Sequence, residues 1–219
     1  MNETANAVTA HALAGQVAIV TGAGRGLGRV LAESLAAAGA AVAVAARTVA
    51  QIEETVAHIE GAGGRAITLP ADVTDRAGTE WLVDETVRRL GPIDLLVNNA
   101  GVNEVFGPLW QVDPEAWRRE FDVNFFGPVL CARAVLPGMV ARGRGRIINV
   151  ASQAGLAPRP YYAAYGCAKT ALIRLTESLA IESATHGIAV FALHPGLLRT
   201  TMNEAKVLDE AFPPGSPGN

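Results

Sequence analysis

The chain has 219 residues, of which 50% are hydrophobic and 18% charged, with a formal net charge of -3. That hydrophobicity excludes disorder for the body of the chain, and the length suits one domain. The acidic balance argues against a general nucleic-acid binder, which is usually basic.

Residues 1–12 lack the basic start and long apolar core of a signal peptide and read as a disordered tail. Val17 to Thr21 is a short apolar run ending in glycines, a buried strand. Leu27, Val30, Leu31 and Leu35 follow at helical spacing, and Gly39 closes that helix. Ala41 to Ala46 is a second buried strand. Ile52, Val56 and Ile59 make the stripe of a second helix, stopped by Gly61 and the Gly63–Gly64 pair. Ala66 to Leu69 is a third strand. Thr74 to Leu90 reads as a helix with Trp81, Leu82 and Val87 near one face. Ile93 to Val97 is a fourth strand. Asp113 caps, and Pro114 opens, a long helix toward Met139. Arg146 to Val150 is a fifth strand, Tyr161 to Thr185 another long helix, and Ile188 to Leu193 a sixth strand.

Strands alternate with helices, and the strand runs are continuously apolar. That pattern belongs to a parallel sheet covered by helices on both faces. Residues 13–212 read as one domain and 213–219, rich in Pro and Gly, as a frayed tail. No run reaches the roughly 18 uninterrupted apolar residues of a membrane helix. Two cysteines, Cys131 and Cys167, suit free thiols in a reducing cytoplasm.

The first strand runs into Thr21-Gly-Ala-Gly-Arg-Gly-Leu-Gly28, with a helix at once after it. A glycine pattern alone proves little, but strand, glycine-rich turn and helix together bind dinucleotides. Gly22 allows the tight turn, Gly26 lets a pyrophosphate approach, and Gly28 lets helix and strand pack closely. The helix N-terminus offers free N–H groups to the phosphates. The second strand ends Ala45-Ala46-Arg47, without the acid that would accept from adenosine ribose hydroxyls. Arg47, with Arg25 inside the turn, points to a 2′-phosphate and so to NADP(H), with NAD(H) as the alternative. Arg47 can equally be read as a solvated residue opening a helix.

Only two lysines occur, Lys169 and Lys206, yet one stands in Tyr165-x-x-x-Lys169. Chance placement expects roughly 0.03 such pairs. At i and i+4 the two share a helix face. A phenol is a poor base at neutral pH, and a nearby ammonium favours the phenolate. Tyr165 is therefore placed to exchange a proton with a bound group.

The ordered set Thr21-Gly-x-x-x-Gly-x-Gly28, Asp72-Val73, Asn98-Asn99-Ala100-Gly101, Asn124, Ser152, Tyr165-x-x-x-Lys169 and Pro195-Gly196 resembles the short-chain dehydrogenase/reductase family, in its short single-domain branch. The resemblance runs from residue 16 to about 202. It implies a Rossmann-type doubly wound sheet of order 3-2-1-4-5-6. It implies an oxidoreductase interconverting a secondary alcohol and a ketone, with Asn124, Ser152, Tyr165 and Lys169 as the catalytic set. Lys169 would bind the nicotinamide ribose, and Asn124 a water relaying protons to it. Gly22, Arg25, Gly26, Leu27, Gly28, Arg47, Asp72, Val73, Asn99, Ala100, Gly101, Pro195, Gly196, Leu198 and Thr200 would line the cofactor. Asp72 can also be read as an N-cap, and Asn124 as a helix residue bonding a neighbouring carbonyl.

The scheme needs no metal, and His11, His58, His186 and His194 are scattered. Family pockets place Val102, Trp110, Gln153, Tyr161 and Leu197 around the substrate here, a mostly apolar set. The family's usual seventh strand has no counterpart after Leu193, so the sixth strand is expected to be an edge. A cofactor binder without turnover is the rival reading. The resemblance also implies a homodimer through the helices Asp113–Met139 and Tyr161–Thr185, with a tetramer as the alternative; Val129, Leu136, Leu172, Leu175 and Leu179 supply apolar surface for it. Arg142-Gly-Arg-Gly-Arg146 reads as a turn before the fifth strand and not as an RNA-binding run.

Overall fold

Residues 11–196 are described by a computed structural model. The strands are β1 (Val17–Thr21), β2 (Ala41–Ala46), β3 (Arg65–Pro70), β4 (Leu95–Asn98), β5 (Gly145–Val150) and β6 (Ile188–Leu193). The helices are α1 (Gly26–Ala37), α2 (Val49–Gly61), α3 (Arg76–Leu90), α4 (Pro114–Phe121), α5 (Gly127–Arg142) and α6 (Ala163–Ala184). All strand pairs are parallel, in the order β3-β2-β1-β4-β5-β6, as expected.

Alternate residues of each strand enter different layers, because side chains alternate across a sheet. Ala18, Val20, Val42 and Val44 pack against Ala32 and Ala36 of α1 and Ile52 and Ile59 of α2. Val17, Ile19, Ala43 and Ala45 pack with Leu82 of α3 and with Cys131, Val135 and Met139 of α5. Burial holds the Cys131 thiol up at about 12, so it is a core residue. Residues 114–142 form a 29-residue helix that would span a membrane by length and composition alone, but it contributes those core residues here.

Several local expectations change. His11 to Gly15 form a turn, not tail, and the Leu13 N–H donates to Ala38 O at 2.8 Å. Val30 is 56% exposed, because it lies half a turn away from Ala32 and Ala36. In α3 the buried face is Thr79, Leu82 and Thr86, while Trp81 and Val87 face solvent. The two threonines hide because each hydroxyl donates to a carbonyl of its own helix, at 2.8 and 2.7 Å. Asp75, not Asp72, caps α3, accepting from the N–H of Ala77 and Gly78. Between α4 and α5 the chain widens into a π-helical turn, Asp122–Phe126.

The Arg142–Arg146 run is absorbed into the fold. Arg142 donates to Ile93 O, Arg144 reaches Asp94 at 3.4 Å, and Arg146 donates to Gln16. Asp94 in turn accepts from the Val17 N–H at 3.1 Å. The starts of β1, β4 and β5 are thereby laced together. Among the described residues β6 pairs only with β5, and its Phe191 and Leu193 are exposed.

Candidate active site

The strand order reverses between β1 and β4, and ligands of such sheets bind at the carboxyl ends of the strands there. A cleft of about 500 Å³ lies at that point. Every residue within 11–196 predicted for catalysis or cofactor binding lines it except Asn124. Leu197, Leu198, Thr200 and the tail lie outside the described residues.

One end is the glycine turn. Gly22 has φ +64°, the left-handed region, and a Cβ there would stand 2.8 Å from Ala100 Cα. A Cβ on Gly28 would stand 2.2 Å from the Gly22 carbonyl. Among the described residues no side chain caps α1, so its first N–H groups can face a ligand. Asn99 Nδ2 donates to the carbonyls of Thr21 and Gly22 at 2.9 and 3.2 Å. Thr21 Oγ1 accepts from the N–H of Asn99 and Ala100, both at 3.1 Å. The turn is therefore tied to the end of β4.

Arg29 and Thr55 complete this support and escaped the sequence reading. Arg29 donates to Gly24 O at 2.9 Å and forks onto Glu54 at 3.0 and 2.8 Å. Thr55 donates to Ala23 O at 3.0 Å. Arg25 and Arg47 line the adenosine end, as expected. An acid is nonetheless nearby, since Asp72 lies 3.9 Å from Arg47. Asp72 also closes an Asx turn, accepting from the Thr74 N–H at 2.9 Å.

The other end holds Ser152, Tyr165 and Lys169. Ser152 leaves β5 and caps a single 3₁₀ turn, accepting from the Ala154 N–H at 3.2 Å. Its hydrogen bond to Tyr165 favours the phenolate, but burial is the larger effect and holds that phenol above its ordinary range. Lys169 is 4% exposed, its ammonium donates to Val150 O at 2.9 Å, and burial brings it down to about 8. The Tyr165-x-x-x-Lys169 spacing predicts that Lys169 lowers Tyr165; the lowering contribution here comes from Ser152.

Asn124 sits in the π-helical turn, fully buried behind the cleft. Its Nδ2 donates to Val102 O at 2.7 Å and Glu120 O at 2.9 Å. Among the described residues its Oδ1 has no partner, and it lies 2.8 Å from where a Gly101 Cβ would be; Lys169 Nζ lies 3.8 Å from that same point. The extra residue of a π turn commonly re-aims a side chain at a functional site.

Two pocket assignments change. Trp110 is 83% exposed and Tyr161 does not line the cleft; Tyr162 and Arg159 do. The left-handed φ of +63° at Tyr161 turns the chain so that Tyr162 faces inward. Glu120 was also missed. It is 2% exposed, and its Oε2 accepts from the N–H of Glu104 and Val105 at 2.6 and 2.9 Å. It thus holds the segment that follows Gly101.

A switch-point cleft of this build, glycine turn at one end and a tyrosine beside a buried lysine at the other, defines an α/β dinucleotide-dependent oxidoreductase. The sequence pattern of the short chain dehydrogenase family matches residues 16–211, and the chain belongs to that family. Dehydrogenase/reductase SDR family member 4 of Pongo abelii is 38% identical over 198 residues, 90% of this chain and 71% of its own length. A gluconate 5-dehydrogenase from Burkholderia cenocepacia, solved with NADP and tartrate, superposes with a TM-score of 0.84 at 37% identity, covering 89% of this chain and 76% of its own. An NAD+-bound xylitol dehydrogenase gives 0.82 at 36% identity, covering 84% and 71%.

Proposed function

We propose that the chain is an NADP(H)-dependent oxidoreductase interconverting a secondary alcohol and a ketone. The observation that carries this reading is the meeting of Ser152, Tyr165 and Lys169 at one end of the cleft that begins at the glycine turn. The uncapped start of α1 suits phosphates, and Gly101, with no side chain, leaves Asn124 Oδ1 and Lys169 room to approach the cleft. Arg25 and Arg47 support a 2′-phosphate. The Arg47–Asp72 pair is exposed and long, so a phosphate dianion can displace it.

When bound, the nicotinamide supplies or accepts the hydride. Tyr165 gives its proton to the ketone oxygen in reduction and takes it from the alcohol in oxidation. Ser152 orients that oxygen. Lys169 places a buried positive charge beside the phenol, and Asn124 offers Oδ1 to the proton path behind it. Free Cys131 and Cys167 support a cytoplasmic setting. An apolar groove between α5 and α6, formed by Val129, Leu136, Val140, Leu175 and Leu179, supports a homodimer. Leu172 is buried in the fold and does not contribute to it.

NADPH oxidation measured across a panel of ketones tests the reading. Turnover that prefers NADPH to NADH is expected. NADPH binding without turnover on any ketone would favour the rival, a cofactor sensor.

A further inference from the structure

Two side chains at the substrate end have no part in the proton chemistry. Tyr162 is 8% exposed, and its ring meets that of Tyr165 edge-on, with centroids 5.5 Å apart. Phe106 braces its other side at 5.0 Å. Asn103 Nδ2 donates to the Tyr162 hydroxyl oxygen. That bond uses an acceptor site of the hydroxyl and leaves its proton available to donate. Burial pushes this phenol above its ordinary range, so it stays a neutral donor.

Arg159 lines the same wall, close enough for its charge to act on the Tyr162 phenol. It is exposed, and among the described residues it has no ion pair or hydrogen bond. Glu120, whose charge also reaches both phenols, is engaged through Oε2 by the Glu104 and Val105 N–H groups. A ligand filling this end meets a guanidinium and a hydroxyl together. A neutral ligand leaves the guanidinium to water, whereas a carboxylate accepts from both groups in charge-assisted bonds.

We propose that Arg159 and Tyr162 form an anion subsite beside Tyr165, so that the substrates are ketones and alcohols carrying a carboxylate a few bonds from the reacting carbon. One fork of N–H donors plus one hydroxyl matches the two oxygens of a carboxylate. The inference rests on the oxidoreductase reading above.

The test compares 3-oxobutanoate with its methyl ester, using NADPH. The expected result is a preference for the acid of about tenfold or more in kcat/KM. Arg159→Ala should bring the ratio near one, Tyr162→Phe should reduce it several-fold, and Arg159→Lys should retain part of it. Equal use of acid and ester by the unmodified protein, or a preference that survives Arg159→Ala, overturns the subsite. If neither compound is reduced, the oxidoreductase reading is what fails for this pair. Calorimetric titration of the NADPH-loaded protein then decides the subsite. Tighter binding of the acid, lost in Arg159→Ala, supports it; equal binding of acid and ester overturns it.

Discussion

The ammonium of Lys169 lies 5.6 Å from the centre of the Tyr165 ring and spends one of its protons on the Val150 carbonyl. Its charge therefore bears on the face of the ring from a fixed, buried position. Tyr165, held high by burial, keeps its proton through neutral pH. Ketone reduction needs that proton and alcohol oxidation needs it gone. We expect kcat for reduction to be flat through neutral pH and kcat for oxidation to climb as pH rises. Lys169 discharges as pH rises through about 8, so the climb should flatten above that point. Oxidation that is fastest near pH 6 would contradict this assignment.

Tyr165→Phe removes one hydroxyl and leaves the ring contact with Tyr162. Turnover should fall by about 10²–10⁴-fold, with NADPH affinity within about twofold by fluorescence titration. A variant keeping more than about a tenth of the kcat would remove Tyr165 from the proton step.

Arg47→Ala and Ala46→Asp should each shift preference from NADPH toward NADH. Losing a charge-assisted phosphate contact costs roughly 10- to 150-fold in affinity. Thermal stability should hardly move, because the Arg47–Asp72 pair is exposed. An unchanged NADPH/NADH ratio in both variants would place the adenosine phosphate elsewhere.

Glu120→Ala leaves two N–H groups without their acceptor, each worth about 1–3 kcal/mol when buried. A lower Tm and a raised KM for ketones are expected. Glu120→Gln keeps an acceptor oxygen for both. Burial raises the Glu120 carboxyl, so its ionisation destabilises the folded state as pH rises through that raised value. Glutamine carries no such cost, and Glu120→Gln should be at least as stable as the unmodified protein above neutral pH. Differential scanning calorimetry at two pH values checks both variants.

Leu136 lines the apolar groove between α5 and α6 and is only half-buried. Light scattering after size exclusion should give a dimer, and Leu136→Glu a monomer. A monomer before substitution would remove this interface.

The sheet was legible because its strands are unbroken apolar runs, and their order followed from the family motifs. The cleft was legible where residues are neighbours in sequence, as in the glycine turn and the Tyr165–Lys169 pair. What escaped depends on distance along the chain or on one backbone angle. Arg29 and Glu54 are 25 residues apart and meet only because α1 and α2 lie side by side. Tyr162 replaces Tyr161 in the cleft through a single positive φ. Thr79 and Thr86 look polar on paper but satisfy their hydroxyls within the helix. The π-helical turn around Asn124 has no mark in the hydrophobic pattern.

The arginine lacing of Arg142, Arg144 and Arg146 lies at the opposite end of the strands from the cleft. It joins Ile93, Asp94 and Gln16, none of which lines the cleft. Anchorage and chemistry thus occupy separate ends of the same strands. Segments following Gly101 and Ser152 can be exchanged for others of different length or character while the laced end stays registered. A library randomised only at the cleft end should therefore yield mostly folded proteins with altered appetites, whereas the same diversity at residues 142–146 should yield few that fold.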